Sequence, residues 1–155
     1  MDVMNSDWIS VDRISDDDGY RLAYPCLSDR CESLLAQFPY IPFVLVDEKE
    51  RLVAGFEFMK YYRDCNEASV PCTRIESAKV NPILLAYHYK ERFFGFNPYE
   101  QLVFIRKALA TLKVSEIYQQ CRIDISINDE LRENLDLLIT RPFREALIGG
   151  QLNLK

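Results

Sequence analysis

Apolar positions along this 155-residue chain fall into two regimes. As far as Ile75 they come mostly as short runs: Trp8-Ile9-Ser10-Val11, Pro42-Phe43-Val44-Leu45-Val46, Arg51-Leu52-Val53-Ala54 and Val70 to Ile75. Runs of this length, bounded by Gly, Pro and charged residues, predict strands, and the turn Asp47-Glu48-Lys49-Glu50 joins the second and third into a hairpin. Two helices are predicted among them. In the first, Cys31, Leu34, Leu35 and Phe38 recur at helical spacing after Ser28, an N-cap residue type, until Pro39 and Pro42 stop the helix. The second runs from Phe56 to Asp64, directly after Gly55 closes a strand. The acidic stretch Ser15-Asp16-Asp17-Asp18-Gly19 reads as a loop.

After Ile75 helix-start signals replace strand signals. Asn81-Pro82 supplies an N-cap and first turn for a helix to about Arg92, and Asn97-Pro98-Tyr99-Glu100 does so again with Glu100 completing a capping box. Ile105, Ala108, Leu109 and Leu112 give that second helix its apolar stripe. Shorter helices are predicted over Ser115 to Gln120, Asn128 to Ile139 and Arg141 to Leu147, the last ended by Gly149-Gly150. The expected fold class is therefore α+β: a small mixed sheet with packed helices over residues 8–78, followed by an all-helical region over 79–155. Leu152-Asn153-Leu154-Lys155 reads as the opening of a further helix, so the natural chain is expected to continue past Lys155.

Composition narrows the functional classes. Apolar residues make up 48% of the chain, with nine Tyr and nine Phe, which supports a buried core rather than disorder. No run approaches the roughly 18 to 20 apolar residues of a bilayer span. The N-terminus carries Asp2 and Asp7 where a secretory signal carries base, so the expected location is cytoplasmic. A net charge of −5 opposes binding to a phosphate backbone. The cysteines, Cys26, Cys31, Cys65, Cys72 and Cys121, are odd in number and lack C-x-x-C spacing, so they read as reduced and mostly buried rather than as disulfides or zinc ligands. His88 is the one histidine and has no ligand-spaced neighbour, and no metal site or nucleophilic triad can be built around it.

One junction carries candidate chemistry. A strand that ends in glycine and opens directly into a helix brings backbone N–H groups and the helix dipole to a point where a phosphate can sit. Here it is Leu52-Val53-Ala54-Gly55-Phe56-Glu57-Phe58. Its position resembles the ParB-like (ParB/sulfiredoxin-like) N-terminal domain family of chromosome and plasmid partition proteins, whose pattern runs apolar strand, Gly-x-Arg-Arg, helix, and a strand containing Val-Pro. Val70-Pro71-Cys72 matches that Val-Pro. Leu34-Leu35-Ala36-Gln37-Phe38 and Pro42-Phe43-Val44-Leu45-Val46 are similar to the family's preceding helix and strand, and Asn97-Pro98-Tyr99-Glu100-Gln101 to its later Asn-Pro helix start. Glu145 to Leu152 resembles the segment after the family's helix-turn-helix. The likeness covers roughly residues 8 to 155.

The resemblance implies a dimer that binds cytidine triphosphate with magnesium through the Gly-x-Arg-Arg turn and a Glu-Asn-x-x-Arg segment, and that closes on DNA. Some relatives are described as nucleases, and sulfiredoxins carry a catalytic cysteine in the turn. This chain departs from the pattern. Glu57 and Phe58 stand where the arginines would be, and arginine suits phosphate because its planar fork donates paired, charged hydrogen bonds. In the best register His88 and Tyr89 replace the Glu and Asn, leaving Arg92 as the match, and the turn holds no cysteine.

Gly55, Phe56, Glu57, Phe58 and Arg92 thus read as a vestigial nucleotide site, with Glu57 expected to cap the helix N-terminus in place of a phosphate. Phe93, Phe94, Phe96, Tyr99 and Phe104 read as core or a dimer face before a base-stacking platform, and Asp16-Asp17-Asp18 as a solvated loop before a cation site. Three readings of function stand side by side. The first is a non-catalytic module of a DNA-associated protein, acting in homodimerisation or protein interaction and needing no cofactor. The second is a switch binding CTP with magnesium, or a nuclease, that uses Lys60, Arg63 and Arg92 instead. The third is DNA binding, through Arg122, Arg132, Arg141 and Arg144 of the C-terminal helices or through a missing C-terminal part.

Overall fold

The computed structural model describes residues 6–38 and 42–123. The strands are β1 (Ser6–Ser10), β2 (Ser15–Asp16), β3 (Val44–Val46), β4 (Arg51–Ala54) and β5 (Ser69–Arg74). The helices are α1 (Cys31–Gln37), α2 (Phe56–Asp64), α3 (Pro82–Phe93), α4 (Pro98–Leu109) and α5 (Val114–Cys121), with a 3-10 turn at Val11–Arg13. Contacts divide the chain into two compact units, residues 1–93 and 94–155. The expected α+β class holds, and the first unit contains α3 together with the sheet.

The strands form one mixed sheet in the order β1-β5-β3-β4-β2. β1 pairs antiparallel with β5, β3 lies parallel to β5 and antiparallel to β4, and β2 lies parallel to β4. The β3–β4 hairpin is the predicted one. Its tip is organised by Asp47, a fully buried carboxylate that accepts from the backbone N–H groups of Lys49 and Arg51, both at 2.9 Å, from Arg51 Nε at 2.6 Å and from the Tyr20 hydroxyl at 3.1 Å. Burial pushes this carboxyl up, but the donors outweigh it and leave its pKa below the ordinary value.

β2 corrects the expectation of a plain loop at Ser15–Gly19. Its two residues use backbone pairing with Arg51 and Leu52, which no side-chain pattern advertises. The acidic residues carry ion pairs as well: Asp16 of β2 bridges Arg63 at 3.0 Å, Asp17 bridges Arg51 at 3.5 Å, and the exposed Asp18 lies 3.9 Å from Arg21. The first strand ends at Ser10 rather than Val11, which belongs to the 3-10 turn. α1 begins at Cys31, because Ser28 to Arg30 form a turn in which the Cys31 N–H donates to the Ser28 carbonyl at 3.1 Å.

The core of the first unit lies where α2 and α3 cover the sheet. Val44, Val46, Leu52 and Val53 are fully buried, as are Phe58 and Met59 of α2. α3 buries Ile83, Ala86, Tyr87 and Lys90, a helical stripe in which the last member is a lysine. In the second unit, α4 begins with the predicted capping box: the Glu100 N–H donates to Asn97 Oδ1 at 2.8 Å, and the Asn97 N–H to Glu100 Oε1 at 2.9 Å. Tyr99 and Phe104 are buried, and Phe96 lies 6.4 Å from Phe104 between ring centroids, so these rings are packed rather than displayed. The helices predicted at Asn128–Ile139 and Arg141–Leu147 lie outside the described residues.

Candidate functional site

The strand-to-helix junction forms as the sequence suggests. Gly55 is the N-cap of α2 in the left-handed region, φ +94° and ψ 28°, and its carbonyl accepts from the Met59 N–H at 2.8 Å. Space as well as torsion demands glycine there. A Cβ would stand 2.8 Å from Val44 Cγ1 and 3.2 Å from the Tyr89 hydroxyl, a group that in turn donates to the Phe43 carbonyl at 2.9 Å.

The two residues after Phe56 have taken structural employment. Phe58 is 0% exposed and its ring packs edge-on against Phe93 at 5.5 Å and Tyr89 at 6.4 Å, so this position faces the core. Glu57 lies in the first turn of α2 but caps no N–H with its side chain. Instead Glu57 Oε2 accepts from Lys90 Nζ at 2.9 Å, with the two residues only 6% and 7% exposed. The expected self-capping is thus corrected: proximity to the dipole remains, but the carboxylate's partner is a lysine on α3. Lys90 escaped the sequence reading, although a cation on an otherwise apolar helical stripe was a signal for a buried counter-ion.

A small cleft opens beside this pair, lined among others by Tyr20, Leu22, Ala23, Gly55, Glu57 and Lys90. Its interior volume is about 10 Å³, room for roughly one water molecule and far below the roughly 300–1,000 Å³ of small-molecule sites. The other candidate residues do not gather around it. Arg92 is exposed, with its guanidinium 5.6 Å from the Phe93 ring centroid. His88 is exposed beside the Tyr87 ring, Lys60 bridges Asp64 at 3.3 Å, and Arg63 holds Asp16.

Arg122 ends α5 in a left-handed conformation with its guanidinium 5.9 Å from the Tyr118 ring centroid, and Arg132, Arg141 and Arg144 lie outside the described residues. Every cysteine is free. Burial pushes the Cys26 thiol up to about 11 and the Cys31 thiol up to about 12, with the Glu57 charge adding to both, so neither forms a ready thiolate at neutral pH. Among the described residues no cluster of His, Cys, Asp or Glu is placed to hold a metal ion, and no helix is long and apolar enough to cross a membrane.

A solved structure described as the pNOB8-like ParB N-domain superposes with a TM-score of 0.54 at 14% identity, covering 96% of this chain and 65% of that one. The fold is that of a ParB N-terminal domain. A C2221 form of a Pnob8-like ParB-N domain matches at a TM-score of 0.49 and 14% identity, over 81% of this chain and 51% of that one. The chain therefore spans about two thirds and one half of those chains. No protein-family model and no curated protein matches the sequence. Within that fold, the Gly55 turn is followed by a buried ion pair at Glu57 and a core contact at Phe58.

Proposed function

We propose that this chain is a non-catalytic ParB-like module of a cytoplasmic, DNA-associated protein of the partition or regulatory type, and that it acts through homodimerisation or contact with another protein. The observation that carries this reading is the buried Glu57–Lys90 pair at the start of α2. A triphosphate bound over Gly55 would have to sit beside the Glu57 carboxylate and compete with it for Lys90, while Phe58 offers it no donor. Like charges at such range in a poorly solvated place repel by several kcal/mol, on the order of a hundredfold or more in affinity.

The residues present do not suit magnesium with CTP on a second ground. His88 and Tyr89 stand where the resemblance calls for Glu and Asn, so the hard oxygen donors that magnesium favours are lacking. Lys60 and Arg63, the replacement cations of the nucleotide-binding reading, are engaged with Asp64 and Asp16.

Calorimetry with CTP and magnesium, run beside sedimentation velocity over a range of protein concentration, tests the proposal. The expected result is no micromolar binding heat together with a concentration-dependent dimer or a captured protein partner. Micromolar CTP binding that Arg92→Ala abolishes would replace this reading with the nucleotide switch.

A further inference from the structure

The segment from Asp16 to Ala23 supplies one wall of the cleft beside Gly55, and its two halves are held differently. Leu22 and Ala23 are buried in the core at 2% and 1% exposure, a fixed apolar pivot. Asp16 to Arg21 are exposed or half-buried and carry several ion pairs and hydrogen bonds. Asp16 grips the Arg63 guanidinium with both oxygens, at 3.0 and 3.1 Å. Asp17 accepts from the Gly19 N–H at 2.7 Å and bridges Arg51. Tyr20 donates to Asp47 at 3.1 Å, and the Arg51 guanidinium lies 5.6 Å from the Tyr20 ring centroid.

We propose that residues 16–21 form an electrostatically latched strap, with Tyr20 as its tip and Leu22-Ala23 as its pivot, which opens the cleft beside Gly55 as ionic strength rises. The Asp16–Arg63 and Asp17–Arg51 latches each join a partly exposed carboxylate to a partly exposed arginine, the kind of pair that dissolved ions screen effectively, whereas the Tyr20 hydroxyl rests on the buried Asp47 and follows once those two pairs loosen. At its Asp16 end the strap is tied to the sheet through the two-residue β2 pairing with β4, so the movement starts beyond Asp16. Buried elements of the same unit, such as β3 and β4, depend chiefly on packing and main-chain hydrogen bonds and lack this sensitivity. The device concerns access to the cleft and stands whether or not CTP binds there.

Hydrogen–deuterium exchange on the intact chain tests it. Raising sodium chloride from about 20 mM to about 500 mM, a change that shortens the screening length severalfold, is expected to speed exchange at Gly19 and Tyr20 about tenfold while the amides of β3 and β4 keep their rates. The double variant Asp16→Asn with Asp17→Asn is expected to reach that fast exchange already at low salt and to become open to trypsin after Arg21. Asparagine retains an acceptor for the Gly19 N–H, so the variant removes charge rather than the turn. The idea fails if exchange at Gly19 and Tyr20 is unchanged by salt in the unmodified protein, or if it rises only in step with β3 and β4, which would indicate global unfolding.

Discussion

The Lys90 ammonium donates to the Glu57 carboxylate at 2.9 Å, joining α3 to the first turn of α2 across 33 residues of sequence, with both side chains almost wholly buried. Such a pair need not stabilise the fold relative to apolar residues of similar size, because desolvating two charges costs about as much as their attraction returns. Removing one partner is a different matter, since it strands the other. Glu57→Leu or Lys90→Met alone is expected to lower stability by about 3–5 kcal/mol, whereas the double replacement should fall within about 1 kcal/mol of the parent. Urea midpoints for the four proteins check this. Additive losses would mean that the two residues are not coupled. Glu57→Arg, which introduces one arginine of the pattern the junction resembles, would place two cations together beside Lys90 and should destabilise the unit.

Gly55 is constrained twice, by φ +94° and by the 2.8 Å approach that a Cβ would make to Val44. A non-glycine residue there pays for backbone strain of about 1–3 kcal/mol and must also push into a close-packed strand. Gly55→Ala is therefore expected to destabilise by about 2–4 kcal/mol in thermal or urea unfolding. A loss below about 1 kcal/mol would show that the turn relaxes. The glycine is accounted for by folding alone, which is why its retention does not by itself argue for a retained phosphate site.

Much of this arrangement was legible because it is written in local chemistry. α2 spans Phe56–Asp64 as expected, since Gly55 fixes its start and Phe58, Met59 and Tyr62 mark one face. The Asn97–Glu100 box is likewise a three-residue signal. What escaped was non-local. β2 is two acidic-loop residues that pair through their backbone with β4, and Asp16 finds Arg63 across 47 residues. The sequence shows Glu57 and Phe58 where the pattern it resembles has arginines, but not that Lys90 reaches Glu57 from α3. It likewise leaves undecided whether Phe58 faces ligand or core, because a ring at the third helical position suits either until α3 is placed over it.

Tyr62 offers a contrasting prediction. Its ring stacks with Phe58 at 6.5 Å in the core, but its buried hydroxyl has no hydrogen-bond partner among the described residues. Burial raises its pKa well above that of a free phenol, so it stays protonated and does no acid–base work near neutrality. An unmet hydroxyl in such a place costs about 1–3 kcal/mol. Tyr62→Phe keeps the ring and removes the cost, and is expected to raise stability by about 1 kcal/mol. A loss of that size in the urea midpoint would show that the hydroxyl is bonded after all.

The acid limb of stability should be governed largely by the hairpin. Asp47 titrates below its ordinary value because N–H donors, Arg51 and Tyr20 hold its charged form, and Glu48 is lowered to about 2 by the Ser77 hydroxyl and N–H. In the unfolded chain these groups regain values near roughly 3.9 and 4.3. Folding thus favours the ionised carboxylates, and their contribution is complete above about pH 5. It disappears as pH falls from there through the depressed folded-state values, since protonation then removes acceptors that the folded hairpin needs. The unmodified protein should lose stability steeply between about pH 4 and pH 2. Asp47→Asn, with one oxygen replaced by a donor facing donors, is expected to be about 2–3 kcal/mol less stable at pH 7 and to lose less on further acidification. Parallel acid limbs for the two proteins, measured by urea unfolding at pH 7, 4 and 3, would remove Asp47 as the source of the dependence.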